Sequence, residues 1–248
     1  MRYFIELSYF GKAYHGWQVQ PDSITVQEIL EKNLSKVLRS QIEIVGAGRT
    51  DAGVHARQMF AHFDSQELIN TALLKYKLNS MTPKDLAISR IFQVKEDAHA
   101  RFDAVSRSYE YHIVQRKDPF SKDQAWFLKH DLDIEKMNKA ASALFDYTNF
   151  KCFSKSRTDV RTYNCRIDHA CWELENNKLV FHITADRFLR NMVRAIVGTL
   201  LEIGQNKYPV SHIHQVIESE DRGKAGTSVP AHGLYLTRIE YPENIILQ

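Results

Sequence analysis

The segment Gly46-Ala-Gly-Arg-Thr-Asp-Ala-Gly-Val-His-Ala56 concentrates three glycines, an arginine, an aspartate and a histidine between two apolar stretches. The apolar stretches predict strands at residues 41–45 and 58–63, so residues 46–57 are expected to form the loop between them. Glycines let a backbone approach a ligand closely, and successive N–H groups can bind an anion. Loops held by strands often carry function, and this loop is therefore the first candidate site.

Asp51 is the candidate catalytic group of this loop. The spacing from Gly48 to Gly53 imitates the start of a P-loop, but valine and histidine follow where Lys and Ser or Thr would be required, which disfavours a nucleotide triphosphatase. An aspartate beside glycine often only closes a turn. Arg49 lies two residues away, however, and a cationic neighbour favours the ionised carboxylate that a nucleophile or general base needs.

The elements around this loop predict an α+β fold. Strands and helices alternate without a strict βα order, which argues against a doubly wound parallel sheet. A soft boundary near residue 105 separates an N-terminal half, 1–105, from a C-terminal half, 106–248, and the two halves are expected to pack intimately. The predicted strands are 2–9, 41–45, 58–63, 86–94, one through Tyr109, 162–174, 178–184 and 234–241, and the predicted helices are 25–39 with a Thr25–Glu28 capping box, 66–79, 133–146, 188–203 and 211–219.

Charge gives weak evidence for a polyanionic partner. The net charge is +3 and the pI is about 8.6, below the strongly basic range of many nucleic-acid-binding domains. The positions of the arginines say more, because many of them cluster around segments with unusual local chemistry and arginine forks suit phosphate. These residues are Arg49, Arg57, Arg101, Arg107, Arg157, Arg161, Arg187, Arg190 and Arg194.

Cysteine usage and hydropathy favour a cytoplasmic protein. The three cysteines, Cys152, Cys165 and Cys171, lack C-x-x-C spacing, which argues against a zinc cluster and a disulfide framework. No run of 18 apolar residues occurs, and the N-terminus alternates apolar and polar residues instead of forming an apolar signal region. Secretion and membrane insertion are therefore not expected.

Ordered motifs along nearly the whole chain resemble the TruA-type tRNA pseudouridine synthases. The resemblance begins with the loop Gly46 to Ala56, whose aspartate after Arg-Thr is the essential residue of that family. A chance match to this loop would not bring the other blocks in the same order. Those blocks are Tyr9-x-Gly-x-x-Tyr-His-Gly-Trp-Gln18, Thr25-Val-Gln-Glu28, Ala100-Arg-Phe102, Arg107-Ser-Tyr109, Met192-Val-Arg-Ala-Ile-Val-Gly198, Gly233-Leu-Tyr-Leu236 and Tyr241-Pro242.

The resemblance implies a role for three residues. Asp51 would be the catalytic aspartate, Tyr109 the aromatic residue that lies against the target base, and Arg194 the basic partner that salt-bridges Asp51. Without the resemblance, Tyr109 is more simply a half-buried strand residue. Arg194 is unusual in any case, because an arginine within an apolar helix needs an anionic partner.

The implied fold is the pseudouridine synthase fold, in which two similar α/β halves share a mixed, largely antiparallel sheet with a central active-site cleft. The implied activity is isomerisation of uridine to pseudouridine at positions 38, 39 and 40 of the tRNA anticodon stem-loop by a homodimer. No cofactor and no metal are expected. The expected RNA contacts are Arg49, His55, Arg57, Arg101, Arg107, Arg187 and Arg190, although His55 could equally be a packing residue.

Several alternatives stay open. The aromatic block Tyr14, His15 and Trp17 contacts RNA or supports the aspartate loop. The chain could modify other tRNA positions, or bind tRNA without catalysis. An aspartate-nucleophile hydrolase is a further enzyme class, but it would usually show a second acidic partner or metal ligands, and the sequence has neither.

Overall fold

The computed structural model describes residues 1–155 and 160–247. In chain order its strands are β1 (Arg2–Tyr9), β2 (Val45–Gly46), β3 (His55–Asp64), β4 (Leu86–Val94), β5 (Ser106–Val114), β6 (Trp126–Phe127), β7 (Ile167–Glu175), β8 (Lys178–Ala185) and β9 (Leu234–Glu240). Its helices are α1 (Val26–Leu38), α2 (Thr71–Met81), α3 (Ile134–Ser142), α4 (Met192–Gly204) and α5 (His212–Glu218). Strands and helices are both abundant, and the predicted α+β class is confirmed. No helix in the described ranges is long and apolar enough to cross a membrane.

The chain divides into two compact units. The first contains Met1–Val105 together with the chain from Tyr235 onward, and the second contains Ser106–Leu234. The sequence assigned residues 235–248 to the second half. The structure places the described part of this segment in the first unit because β9 runs parallel to β3, with Tyr235 opposite His55.

In the first unit, β1 is the middle strand of an antiparallel set. It pairs with β3 on one side and with β4 on the other, and β2 adds to the far edge of β3. The side chains of Phe4, Ile5 and Leu7 are at most 1% exposed and form the centre of the core. Helix α1 begins at the predicted capping box, since the Thr25 side chain accepts a hydrogen bond from the Glu28 N–H at 3.4 Å.

In the second unit, β8 lies between β5 and β7 and is antiparallel to both, and the short β6 is parallel to β5. Rings of Trp172 and Phe181, on facing strands, are 4.9 Å apart in the core. Helix α3 is attached to β7 through Asn138, whose side chain accepts from the Trp172 N–H at 2.7 Å and donates to its carbonyl at 3.1 Å. Helix α4 is almost wholly buried, as its apolar sequence predicts.

The predicted strand at 41–45 is wrong except at its last residue, where β2 begins. Ile42 and Ile44 are buried, but side chains of α1 satisfy their backbone. Ser35 Oγ accepts from the Ile42 N–H at 2.9 Å, and Glu31 Oε1 accepts from the Ile44 N–H at 3.0 Å. The N–H groups of Ile42 and Ile44 are therefore bonded to side chains of α1 instead of to a strand.

Some helices and strands also begin at other residues than predicted. Helix α2 begins at Thr71 rather than 66, because the Asn70 side chain caps it by accepting from the Leu73 N–H at 3.0 Å. Strand β7 begins at Ile167 rather than 162, and α4 begins after Asn191, whose φ of 67° lies in the left-handed region. Strand β3 starts at His55, so the candidate loop is shorter than predicted.

Candidate active site

Asp51 lies in the turn that leads into β3, and its side chain is half-buried. The Val54 N–H donates to the Asp51 carbonyl at 3.1 Å and closes the turn. Gly53 has a φ of 80°, which an L side chain rarely adopts. The aspartate therefore sits on a short, well-defined turn rather than in an open loop.

Residues of the first motif, Tyr9 to Gln18, hold this turn in place by hydrogen bonds. Tyr9 Oη and Thr50 Oγ1 are hydrogen-bonded at 2.9 Å, the Trp17 N–H donates to the Thr50 carbonyl at 3.2 Å, and the Gly53 N–H donates to the Tyr14 carbonyl at 3.3 Å. Tyr14 and Trp17 are 4% and 1% exposed. For these two residues, burial favours the supporting role over an RNA contact.

Two glycines allow the block to approach the turn. A Cβ atom at Gly11 would lie 2.0 Å from the Val54 carbonyl oxygen, and one at Gly16 would lie 2.4 Å from that of Thr50. Gly16 also has a φ of 90°. Both positions require glycine because backbone meets backbone, which explains the glycine spacing of the first motif.

Asp85 is a functional candidate that the sequence did not indicate. The Tyr14 hydroxyl donates a short hydrogen bond to Asp85 Oδ1, and the Phe10 N–H donates to the Asp85 carbonyl at 2.8 Å. Burial, followed by the contact with Asp85, raises the pKa of Tyr14. Asp85 thus holds both ends of the segment on which the Asp51 turn rests, and no local sequence pattern marks it.

For His55 the structure favours the packing alternative over the expected RNA contact. Its side chain is 1% exposed, and its ring stacks between Phe10 and Tyr235, with centroid distances of 4.2 and 4.6 Å. The Gly11 N–H donates to His55 Nδ1 at 2.9 Å. A residue enclosed in this way has no surface to offer to RNA.

Tyr109 and Arg194 both belong to the second unit. Tyr109 is half-buried on β5, and its ring meets that of Phe188 edge-on with 5.1 Å between centroids. Arg194 lies on α4, where its Nε donates to the Val229 carbonyl at 2.7 Å and its own carbonyl accepts from the Val229 N–H at 3.2 Å. These contacts fix the direction in which the guanidinium leaves the helix.

Arg222, which the sequence also failed to indicate, holds the segment that carries Val229. Its Nη1 donates to the carbonyls of Ala225 and Gly226 at 3.3 and 3.2 Å, and its Nη2 donates to Ser228 Oγ at 2.8 Å. Asn191 Nδ2 reaches the same Ser228 Oγ at 2.6 Å. The surroundings of Arg194 are therefore organised by backbone contacts that only the folded chain creates.

The remaining predicted RNA contacts differ in exposure. Arg49, Arg57, Arg101 and Arg190 are exposed, and Arg107 and Arg187 are half-buried. Of the other clustered arginines, Arg157 lies outside the described residues. Arg49 Nε donates to Gln18 Oε1 at 3.1 Å, and Arg107 Nη1 donates to the Asp186 carbonyl at 2.8 Å. The guanidinium of Arg57 lies 5.3 Å from the centre of the Tyr235 ring.

Comparison with known proteins now decides the family. A family model described as tRNA pseudouridine synthase matches residues 7–103 and 140–242. The chain is 53% identical to tRNA pseudouridine synthase A of Bacteroides thetaiotaomicron, over 98% of this chain and 92% of that protein. It is 38% identical to tRNA pseudouridine synthase A 2 of Clostridium perfringens, over 96% of this chain and 98% of that protein.

This chain belongs to the tRNA pseudouridine synthase family. The matched ranges include the Asp51 turn, the aromatic block and the helix that carries Arg194. The resemblance inferred from the motifs is thereby confirmed for the family and its fold class.

One group in the described part of this pseudouridine synthase could hold a metal ion. Ligand atoms of Glu173, Glu175 and His182 lie within 4.8 Å of one another on β7 and β8. His182 Nε2 is hydrogen-bonded to Glu175 Oε1 at 2.7 Å, and His182 Nδ1 lies 4.0 Å from Glu110 Oε1. Glu175 and Glu110 thus already provide partners for His182, and the expectation of no metal stays a prediction.

Proposed function

We propose that this chain isomerises uridine to pseudouridine at positions 38, 39 and 40 of the tRNA anticodon stem-loop. The observation that carries the proposal is the match, over almost the full length of both chains, to proteins named tRNA pseudouridine synthase A. The match covers 98% of this chain and 92% of the Bacteroides thetaiotaomicron protein.

The reaction is an isomerisation and needs no oxidant or energy source. The N1–C1′ bond of the nucleotide breaks, the uracil turns, and a C5–C1′ bond forms, while C5 loses its proton and N1 takes one up. The enzyme must hold an extruded base, an oriented carboxylate near the sugar or ring, and a site that retains the detached uracil. Asp51 is the proposed carboxylate, and its support by Tyr14, Trp17 and Gly53 is the fixed geometry that such a role requires.

Tyr109 and Arg194 complete the proposed active site. Tyr109 would lie against the target base, for which a half-buried ring is suited. Arg194 would form an ion pair with Asp51 and orient it. The hydrogen bond from Arg194 Nε to Val229 supports this role, because a guanidinium fixed at Nε loses little further freedom when it meets a carboxylate.

The remaining features of the proposal rest on the resemblance. They are a homodimer, a cytoplasmic location, an active-site cleft between the two halves, and RNA contacts by Arg49, Arg57, Arg101, Arg107, Arg187 and Arg190. Exposure of Arg49, Arg57, Arg101 and Arg190 supports their part, since a phosphate contact needs an accessible guanidinium.

The deciding experiment maps pseudouridine in tRNA from a strain that lacks this gene and carries the wild-type, Asp51→Asn or Asp97→Asn chain. Asp97 is an exposed aspartate of the same unit and serves as the matched control. We expect the wild type and Asp97→Asn to restore pseudouridine at positions 38–40, and Asp51→Asn to restore none. In vitro, Asp51→Asn should bind tRNA with an affinity within about threefold of the wild type, because binding rests mainly on phosphate contacts.

Two results would contradict the proposal. If Asp51→Asn restored modification, Asp51 would not be the catalytic group. If the wild type bound tRNA but produced no pseudouridine, the chain would be a silent tRNA-binding member of the fold. Modification outside positions 38–40 would correct the site and leave the chemistry intact.

A further inference from the structure

Phe102 is a large apolar side chain that is exposed to solvent. It is 73% exposed in the turn that follows β4. A single exposed apolar residue is ordinary. Phe102 differs because the turn that presents it is fixed by a dense set of hydrogen bonds, and because Arg101 stands beside it.

The turn is closed by His99 and Asp103. His99 Nδ1 accepts from the N–H groups of Arg101 and Phe102 at 3.1 and 3.3 Å. Asp103 Oδ2 accepts from the His99 N–H at 2.7 Å, and the Asp103 N–H donates to the His99 carbonyl at 3.0 Å. Backbone N–H groups of the turn are thus hydrogen-bonded to side chains of the same turn.

The same turn is anchored to the core of the first unit. The Ala100 N–H donates to Nδ1 of the buried His62 at 3.1 Å, and the Tyr241 hydroxyl donates to the Ala100 carbonyl at 2.5 Å. Arg2 Nη1 donates to the Ala98 carbonyl at 2.9 Å. The position of the tip is therefore set before any ligand arrives, which reduces the entropy cost of binding.

The surroundings of the Phe102 ring suit a nucleobase. The His99 ring packs against it with 4.3 Å between centroids, and the Arg101 Cζ atom lies 5.6 Å from its centre. Unpaired bases stack on aromatic side chains of this kind, and a neighbouring guanidinium adds attraction to the base face or to phosphate. A purely apolar protein partner would gain little from the cation at this position.

We propose that Phe102 and Arg101 form a stacking site for an unpaired nucleobase of RNA. The inference rests on the proposed function, because the RNA is the tRNA substrate. It adds a base contact outside the proposed catalytic set of Asp51, Tyr109 and Arg194. Phe102 would supply the stacking surface, and Arg101 the charge.

The test compares tRNA affinity at several salt concentrations for the wild type, Phe102→Leu, Phe102→Trp and Arg101→Gln, with an unmodified tRNA transcript as the probe. Phe120→Leu is the matched control, since Phe120 is 89% exposed in the second unit. We expect Phe102→Leu to weaken binding about tenfold, Phe102→Trp to keep or improve it, and Phe120→Leu to change nothing. The Phe102→Leu substitution removes no charge, so the slope of log affinity against log salt should stay unchanged, whereas Arg101→Gln should reduce it by about one.

Two outcomes overturn the inference. The first is normal tRNA affinity for Phe102→Leu. The second is a change in the sedimentation coefficient of the free protein in place of a change in affinity, which would make Phe102 a contact between copies of this chain. Pseudouridine formation by the wild type distinguishes failure of the stacking site from failure of the proposed activity. If the wild type modifies tRNA and Phe102→Leu binds tRNA normally, only the stacking site is refuted. Wild-type binding without modification refutes the proposed activity instead.

Discussion

Tyr14 links the Asp51 turn to the rest of the first unit through two different atoms. Its carbonyl accepts from the Gly53 N–H at 3.3 Å, and its hydroxyl donates to Asp85. The side chain is 4% exposed, so water cannot replace the contact with Asp85 at low cost. Tyr14 is therefore a positioning residue for the proposed catalytic carboxylate rather than a group that touches substrate.

Removal of the Tyr14 hydroxyl tests this view. We expect Tyr14→Phe to lower kcat for pseudouridine formation about tenfold, because a small shift of the Asp51 turn misplaces the carboxylate. KM for tRNA should change less than twofold, and the free energy of unfolding should fall by about 1–2 kcal/mol. Tyr76→Phe, at a 70% exposed position of α2, should leave all three quantities unaltered.

Asp85→Asn extends the test, because an amide oxygen can still accept from the Tyr14 hydroxyl. It should keep most of kcat, whereas Asp85→Ala should resemble Tyr14→Phe. An unchanged kcat in Tyr14→Phe, measured at steady state with saturating tRNA, would show that the hydroxyl does not position Asp51.

Single residues were predictable where local chemistry is dense. The glycines and Arg49 around Asp51 mark that turn in the sequence itself. Asp85 could not be found in this way, because the Tyr14 hydroxyl that it contacts lies 71 residues away in sequence. Arg222 lies close in sequence to Ala225, Gly226 and Ser228, but no motif marks it. For His55 the sequence left two roles open, an RNA contact and a packing residue. Its ring packs between Phe10 and Tyr235, which favours the second.

At the scale of elements, periodicity identified most helices and strands. It could not show which groups form hydrogen bonds with the backbone of each segment. The alternation of Ile42 and Ile44 is real, yet Ser35 and Glu31 of α1 take the place of a strand partner. The Thr25–Glu28 box succeeded because a cap is a local interaction, and a local interaction is legible in sequence.

Strand β3 contains a buried histidine that couples it to the Phe102 turn. Burial, and then the charges of Arg2 and His99, lower the pKa of His62 from 6.5 to about 4, although Asp64 and Asp103 oppose the shift. The pKa of His99 is also lowered, mainly by burial. Both rings are therefore neutral near pH 7, and each Nδ1 can accept the backbone N–H groups that it faces.

This arrangement predicts that stability falls as pH falls from about 6.5 to about 4. In that window the unfolded chain binds a proton that the folded His62 refuses, so protonation favours unfolding. We expect His62 to account for about 1–2 kcal/mol of the decrease in unfolding free energy between pH 7 and pH 5, after allowance for partial solvent screening.

Urea unfolding at the two pH values measures the effect. His62→Gln keeps a possible acceptor for the Ala100 N–H but cannot titrate, so its stability should change less between pH 7 and pH 5 than that of the wild type. Equal pH dependence in both chains would assign the loss to other groups, of which His99 is the nearest.

At the scale of the whole molecule, chain order and spatial order differ. Strand β9 follows the entire second unit in sequence but completes the first one, where Gln58 Oε1 accepts from the Ile239 N–H across 181 residues at 2.9 Å. The sequence predicted a strand at 234–241 but placed it in the second half, since periodicity carries no information about a partner so far away. The Val105 N–H, which ends the first part of this unit, donates to the Glu240 carbonyl at 2.8 Å.

The first unit should therefore lose stability when β9 is removed. Tyr235, Leu236 and Ile239 are at most 8% exposed, and their burial contributes about 5 kcal/mol, a large share of the stability of a domain. In a chain that ends at Leu234, we expect the amide hydrogens of β3 to exchange at least about a hundredfold faster, because a loss of about 2.7 kcal/mol already produces that factor. Amides of β8, in the second unit, should be affected less.

A chain that ends at Pro242 is the matched control, because it keeps all of β9 and loses only the residues that follow. Its β3 amides should exchange at nearly the wild-type rate. Protection of β3 in the chain that ends at Leu234 would mean that its pairing with β1 and β2 is enough to hold it. Since β3 carries His55 directly after the Asp51 turn, the same loss of order should reach the proposed catalytic aspartate. Across these shortened chains, the rate of pseudouridine formation should therefore decrease in step with the protection of the β3 amides. It should not follow the protection of the β8 amides.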